Sequence, residues 1–370
     1  MKIGILTLPF NNNYGGYLQA IALVEVLRRI GHEPCFIYRR RDKKGIKAKA
    51  KCFILGLRGL FIKSKRHPFF HDSERDFMRK GINIIPFVES RLKPMTEKIY
   101  DSDTLKKYGC VFDAYIVGSD QVWRPIFVPQ IEDYFFRFVS NPSAKLVAYA
   151  ASFGCSAPEY TNDQILNCGE LIKRFSALSL RESSGVNVMN KLGWTFGNVE
   201  VVLDPTLLLP KDFYLDFIKG KEIPSSKVFC YILDSNSVIE QIIEEVEKDR
   251  KCVSFWILSK NWKNKTYVMP SIQEWLRCLV GADYVVTDSY HGTVFSILFN
   301  KPFVVYINER RGVDRIDCLL DHFGLLDRKI TRVKDYGELK RQKILWGDVN
   351  NRLNNMREKS LGFLQKALKE

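Results

Sequence analysis

No two of the nine cysteines, at 35, 52, 110, 155, 168, 230, 252, 278 and 318, form a Cys-x-x-Cys pair, and their number is odd. A zinc site or a disulfide framework is therefore not expected, and reduced thiols are. No stretch reaches the roughly 18 apolar residues that a membrane-spanning helix needs. The opening MKIGILTLPFNNNYGGY has neither the apolar core nor the cleavage site of a signal peptide. These absences predict a cytoplasmic protein. HExxH, GxSxG and a clustered acid pair are also missing, and NNNYGGY is neither GxGxxG nor a P-loop, so no nucleotide signal comes from it. The DSD at 101–103 imitates a metal-binding DxD, but it precedes TLKKYG and reads as a helix N-cap.

Acidic residues are short as well. Against 57 Lys and Arg there are 42 Asp and Glu, a net charge of +15 over 370 residues. The excess is uneven. Arg39 to Arg66 holds twelve basic residues and one acid, Asp42, so 12 − 1 = +11 falls in one segment around the apolar CFILGLRGLFI, 52–62. Such a segment can lie on an anionic bilayer, cover the surface of a domain, or grip nucleic acid. The expectation is an anionic membrane surface, with the protein peripheral on the inner face of the cytoplasmic membrane and no nucleic acid partner.

The rest alternates strands and helices. KIGILTL (2–8) reads as a buried strand, LQAIALVEVLRRIG as a helix stopped by Gly31, and EPCFIY as a second strand. This βαβ opening implies a parallel sheet with helices on both faces. Residues 40–108 interrupt the pattern as a basic insertion. Further strands are expected at 111–120, 144–154, 177–182 and 199–209, with helices near 162–175 and 184–193. LLPKDFYLDFIKGKEIPSSK lacks periodicity and reads as an interdomain link. The second half repeats the grammar, with strands at 227–233, 252–258, 283–288 and 302–307 and helices at 236–249, 271–280 and 291–300. The predicted fold is α/β, with two Rossmann-like domains, 1–210 and 211–345, facing a cleft, and a C-terminal helix in 346–370 packing back.

Parallel sheets bind ligands beyond the carboxyl ends of their strands. That rule selects the loops Asn11–Tyr17, Gly118–Trp123, Ala151–Gly154, Arg181–Glu182 and Asp288–Thr293. In the last, Ser289 can cap a helix whose first N–H groups make an anion site for phosphate or carboxylate. His291 stands at that positive end, and a histidine, titrating near ~6.5, can exchange a proton at neutral pH. The alternative role is a capping histidine bonded to a nearby carbonyl. Arg181 offers a bidentate fork for an anion, or a salt bridge to Glu182. Asp120 can orient a hydroxyl, act as a base, or cap a turn.

NNNYGGYLQAIAL, YIVGSDQVWRP, AYAASFG, LSLRE, VVLDPTLLL and SYHGTVFSILFNKPFVV, taken in this order, resemble the polysaccharide pyruvyl transferase family. The resemblance implies a two-domain fold similar to the GT-B glycosyltransferases. It implies transfer of a pyruvyl group from phosphoenolpyruvate to two hydroxyls of a glycan sugar, with a cyclic ketal formed and phosphate lost. Capsule, exopolysaccharide or cell-wall polysaccharide synthesis is the implied setting. The family's histidine falls on His291, its strand-end arginine on Arg181 and a lysine on Lys301. On this reading Arg181, Ser289, His291, Gly292 and Lys301 bind phosphoenolpyruvate, and His291 protonates the methylene carbon. Asp120 positions or deprotonates the acceptor, a glycan that could be lipid-linked, beside Asn13, Tyr14, Gly15, Ser119, Gln121 and Trp123. No metal and no cofactor is required, phosphoenolpyruvate being a co-substrate. The rival readings are a nucleotide-sugar-dependent GT-B glycosyltransferase and a non-catalytic membrane-associated protein of glycan assembly.

Overall fold

Short, apolar, β-branched runs set the strands, and in the computed structural model they line up in two parallel sheets. The structure describes residues 1–41, 74–224, 226–258, 267–307 and 313–369. The first sheet holds β1 (Lys2–Leu6), β2 (Glu33–Phe36), β3 (Ala114–Asp120), β4 (Lys145–Ala151), β5 (Ala177–Leu180) and β6 (Val199–Val201), in the order β2-β1-β3-β4-β5-β6. The second holds β7 (Ser226–Ile232), β8 (Phe255–Leu258), β9 (Ala282–Thr287), β10 (Phe303–Tyr306) and β11 (Lys329–Ile330), in the order β11-β10-β9-β7-β8. Every pairing is parallel, with Ile5 opposite Ile116 in one sheet and Val228 opposite Tyr284 in the other. All seven residues of β3 are buried, as expected for a strand covered on both faces.

Both sheets share one winding. Strand order reverses between β1 and β3 in the first sheet and between β7 and β9 in the second, which opens a crevice at the carboxyl ends of those strands. The fold is thus α/β with two doubly wound sheets.

Helix caps follow the sequence signals. Asn13 caps Tyr14–Arg29 by accepting from Gly15 N at 2.9 Å, and Thr161 and Gln164 close a capping box on Asn162–Ile172. Such caps are worth about 1 kcal/mol each. Asp101 caps Ser102–Lys106, accepting from Thr104 N at 2.7 Å, which is the helix role expected of the DSD run.

The two halves pack directly. The Tyr14 ring stacks on Trp275, centroids 5.6 Å apart, and its hydroxyl donates to the Pro270 carbonyl at 2.6 Å. Met269 N donates to the Lys80 carbonyl at 2.9 Å. One apolar cluster includes Leu18 and Leu207 from the first half and Trp275 and Phe295 from the second.

Several expectations shift. The strand at 199–209 ends at Val201, because Pro205 starts a short helix, Pro205–Leu208, capped by Asp204. The predicted link is folded: Lys211–Leu215 is helical and Tyr214, Phe217 and Ile218 are buried. β11 and the helices Val313–Phe323 and Val333–Leu339 lay outside the predicted elements. The final helix runs Trp346–Leu368 and packs back on the first half, where Leu203 N donates to Ser360 Oγ at 3.0 Å. Of the basic segment 39–66, residues 42–66 lie outside the described residues. Arg39 and Arg40 are buried rather than free for a membrane: Arg39 faces Asp133 at 3.5 Å and Arg40 donates to the Phe10 carbonyl at 2.8 Å. Among the described residues no helix is long and apolar enough to cross a membrane.

Candidate active site

The crevice brings together side chains from both sheets. Arg181 follows β5, Asp120 ends β3, Asp204 follows β6, and His291 opens the helix Tyr290–Leu298 after β9. Arg181 Nη1 donates to Asp204 Oδ2 and Arg181 Nη2 to Asp120 Oδ1, each at 3.1 Å. His291 Nε2 lies 3.5 Å from the same Asp204 Oδ2. All four residues are buried. Buried charges cost several kcal/mol each unless matched, so this guanidinium and these carboxylates hold one another in place.

Asp204 is the hub. Its Oδ1 accepts from Thr206 N at 3.0 Å and Thr206 Oγ1 at 2.7 Å, while Ser119 Oγ lies 3.1 Å from Oδ2. Burial works to raise this carboxyl, but His291, Arg181 and Thr206 outweigh it and hold it well below the usual carboxylate range. Asp120 follows the same logic: burial opposes, and Arg181, His291 and Arg315 bring it below its ordinary value. Glu182 goes the other way. Burial pushes its carboxyl up, against Arg181, Arg315 and Ser152.

Local sequence explains the geometry. Ser289 caps Tyr290–Leu298 as expected, accepting from Gly292 N at 3.3 Å, so the turn Ser289–Gly292 presents the positive helix end in the crevice. Gly292 is required by close packing, since a Cβ there would stand 2.2 Å from Thr287 Oγ1. Gly15 meets His291 from the other half: its Cβ would fall 2.0 Å from Nδ1. Asp120 has φ 73°, a left-handed conformation that costs a non-glycine residue about 1–3 kcal/mol and concentrates at functional sites. Gln19 secures this turn, accepting from Ser119 N at 3.1 Å and donating to Thr7 Oγ1 at 2.7 Å.

The structure thus gathers His291, Arg181, Asp120, Ser119, Ser289, Gly292 and Gly15. Gln121 is adjacent, and a Cβ on Gly154 would stand 2.0 Å from its Oε1. Four expected residues are elsewhere. Tyr14 is fully buried between the two halves, and Asn13 serves its helix as a cap. Trp123 is fully buried, stacked on Phe135 with its Nε1 donating to the Tyr134 carbonyl at 3.1 Å. Lys301 precedes β10, at the amino end of the strands, and its Nζ donates to the Val280 and Ala282 carbonyls. It is therefore removed from the crevice.

Four contributors had no catalytic or binding role read from sequence: Asp204 and Arg315, outside the loops that the strand-end rule selects, and Glu182 and Tyr290, inside them. The Arg181 guanidinium carbon lies 4.2 Å from the Tyr290 ring centroid and that of Arg315 5.9 Å, so two buried cations flank one ring. Burial and Arg181 lower Arg315 to about 10. Asp204 carried one signal, an Asp-Pro after an apolar run, which fits both a helix start and a strand-end loop.

Solved structures similar in fold include UDP-GlcNAc 2-epimerase from Neisseria meningitidis bound to UDP-GlcNAc, at 11% identity and TM-score 0.49, covering 99% of this chain and 100% of that one. The Methanocaldococcus jannaschii UDP-GlcNAc 2-epimerase aligns at 12% identity and TM-score 0.47, over 97% and 100% of the two chains. A UDP complex of alpha-glucosyltransferase aligns at 11% identity and TM-score 0.45, over 99% and 96% of the two chains. No curated protein matches the chain significantly. The family model described as polysaccharide pyruvyl transferase matches residues 13–310, from the Asn13 cap through Asp120, Arg181, Asp204 and His291, and the chain belongs to that family.

Proposed function

We propose that this protein transfers the pyruvyl group of phosphoenolpyruvate onto two hydroxyls of a glycan sugar, forming a cyclic ketal and releasing phosphate. The observation that carries the reading is His291 at a helix N-terminus, its Nε2 3.5 Å from a carboxylate that Arg181 also holds. An anion site beside a proton-exchanging ring is what an enol phosphate donor and a hydroxyl nucleophile need. Phosphate would sit on the turn Ser289–Gly292. Both terminal nitrogens of Arg181 are already taken by Asp204 and Asp120, so its role toward the donor is electrostatic unless Asp120 turns away. Asp204 beside Nε2 favours His291 as the base that accepts the acceptor hydroxyl's proton, since a carboxylate stabilises the imidazolium so formed. Asp120 orients that hydroxyl. The pathway proposed is capsule, exopolysaccharide or cell-wall synthesis, with the basic residues of 41–66 at a membrane surface if the acceptor is lipid-linked.

Thermal-shift titration tests the reading. Phosphoenolpyruvate should raise the melting temperature, by the equivalent of about 2.7 kcal/mol at a hundred times Kd, while UDP and UDP-sugars should not. Ser289→Ala should weaken the effect. Stabilisation by UDP alone would replace this reading with nucleotide-sugar glycosyl transfer.

A further inference from the structure

Protonation of the donor's methylene carbon needs an acid, and a histidine paired with a carboxylate is better placed as a base. The crevice contains a second proton-carrying group. Glu182 is 2% exposed. Its Oε1 accepts from Ser152 Oγ at 2.7 Å, and Ser152 Oγ in turn accepts from Gly154 N at 3.0 Å. That chain commits the serine proton to Oε1. Oε2 has no hydrogen bond among the described residues, and neither does Arg181 Nε, which faces it at 3.9 Å.

The charges agree. Counting Arg181, Arg315, Asp120 and Asp204 gives 2 − 2 = 0, all four being buried and His291 neutral as the base it is proposed to be, so Glu182 as a fifth buried charge would leave the group at −1. The groups facing Glu182 are Arg181 and Ser152 from its own sheet, Arg315 and Cys318 from Val313–Phe323, Tyr290 from the helix after β9, and Cys155 from the loop after β4. Against both arginines, burial still drives the carboxyl toward its neutral form.

We propose that Glu182, with its proton on Oε2, is the acid that protonates the methylene carbon of phosphoenolpyruvate, a role that rests on the pyruvyl-transfer reading above. The double-bond electron pair forms the new C–H bond and leaves the adjacent carbon oxocarbenium-like. A hydroxyl oxygen attacks that carbon and its proton passes to His291. The C–O bond to phosphate then breaks, its electron pair staying on the phosphate oxygen, and the second hydroxyl closes the ketal. Two hydroxyl protons are released. One balances the proton gained by the methyl group and restores Glu182, and the other leaves on phosphate. No oxidant or reductant enters.

The test uses the full chain as wild type, Glu182→Gln and Glu182→Asp. Infrared difference spectra at neutral pH should show the carbonyl stretch of a protonated carboxylic acid in the wild type, absent from Glu182→Gln. Calorimetry should give the same phosphoenolpyruvate Kd within threefold for wild type and Glu182→Gln. In D2O, with phosphoenolpyruvate alone and water as nucleophile, deuterium entry at the methylene carbon and phosphate release should fall at least about a hundredfold in Glu182→Gln. Glu182→Asp should keep part of the rate, and it carries the test if Glu182→Gln does not fold. A missing carboxylic acid band, wild-type binding without deuterium entry, or a Glu182→Gln rate within threefold of wild type would each overturn the assignment while leaving pyruvyl transfer standing. Absence of phosphoenolpyruvate binding by the wild type would instead overturn the reading beneath it.

Discussion

Gly15 lies so close to His291 that a Cβ built on it would stand 2.0 Å from Nδ1 and 2.2 Å from Cγ of the ring. The first half of the chain therefore positions a side chain of the second through bare backbone. A Cβ built on Gly16, one residue on, would meet only Asn13 Cβ, at 4.0 Å. Gly15→Ala should push the imidazole from Asp204 and cost about 1–3 kcal/mol of overpacking. Gly16→Ala should be neutral or stabilise the helix by up to about 1 kcal/mol. Thermal melts and phosphoenolpyruvate titrations of the two variants check this, and equal effects from both would remove the special role of Gly15.

Tyr14 joins the halves through its hydroxyl and its ring. Tyr14→Phe keeps the stack on Trp275 and loses the bond to the Pro270 carbonyl, an expected cost of about 0.5–1.5 kcal/mol. Tyr14→Ala also loses a buried ring, an expected cost of about 3–5 kcal/mol. Urea unfolding measures both. Because the hydroxyl points into the interface, Tyr14→Phe should leave acceptor KM unchanged, and a raised KM would return Tyr14 to acceptor recognition.

Lys301 is held at the opposite end of the strands from His291, donating to Val280 and Ala282 carbonyls. Burial lowers its ammonium below the ordinary lysine value. Lys301→Met should destabilise by about 1.5–3 kcal/mol, the range for hydrogen bonds to charged groups. Its phosphoenolpyruvate Kd should stay within about twofold of wild type. A tenfold weaker Kd at unchanged stability would put Lys301 in the donor site.

What the sequence disclosed was local. Ser289 after DYVVTD marks a helix start within five residues, and the strand-end rule then places His291, Arg181 and Asp120 in one crevice, because period and cap are written in neighbouring residues. What it hid was side-chain direction and partnership across long separations. Tyr14 and Trp123 fall in stretches that read as binding loops, yet both rings turn inward, Tyr14 onto Trp275 and Trp123 onto Phe135. Asp204 falls inside a run that reads as a strand, and nothing nearby in the chain shows that one of its oxygens caps a helix while the other meets Arg181 and His291. The early end of β6 was hidden for a related reason, since VVLDPTLLL is apolar enough to suit a strand and only Asp204-Pro205 breaks it.

Asp204 and Glu182 should give stability opposite dependences on pH. The folded-state carboxyl of Asp204 lies below its unfolded value near ~3.9, so its contribution is fully present above about pH 4 and is lost as pH falls through the folded value. Asp204→Asn leaves Arg181 short of a buried partner, and a loss of about 3–5 kcal/mol is expected at neutral pH, shrinking as pH drops below about 4. The folded-state carboxyl of Glu182 lies above its unfolded value near ~4.3, so the folded chain binds the extra proton and stability falls as pH rises between the two values. Glu182→Gln removes that loss, and its stability relative to wild type should climb from about pH 4 upward. Urea midpoints of the wild type and both variants across pH 3 to 8 decide the matter. A flat difference for Glu182→Gln would mean that Glu182 binds its proton equally in both states, and a difference that falls with rising pH would mean that the arginines, not burial, control it.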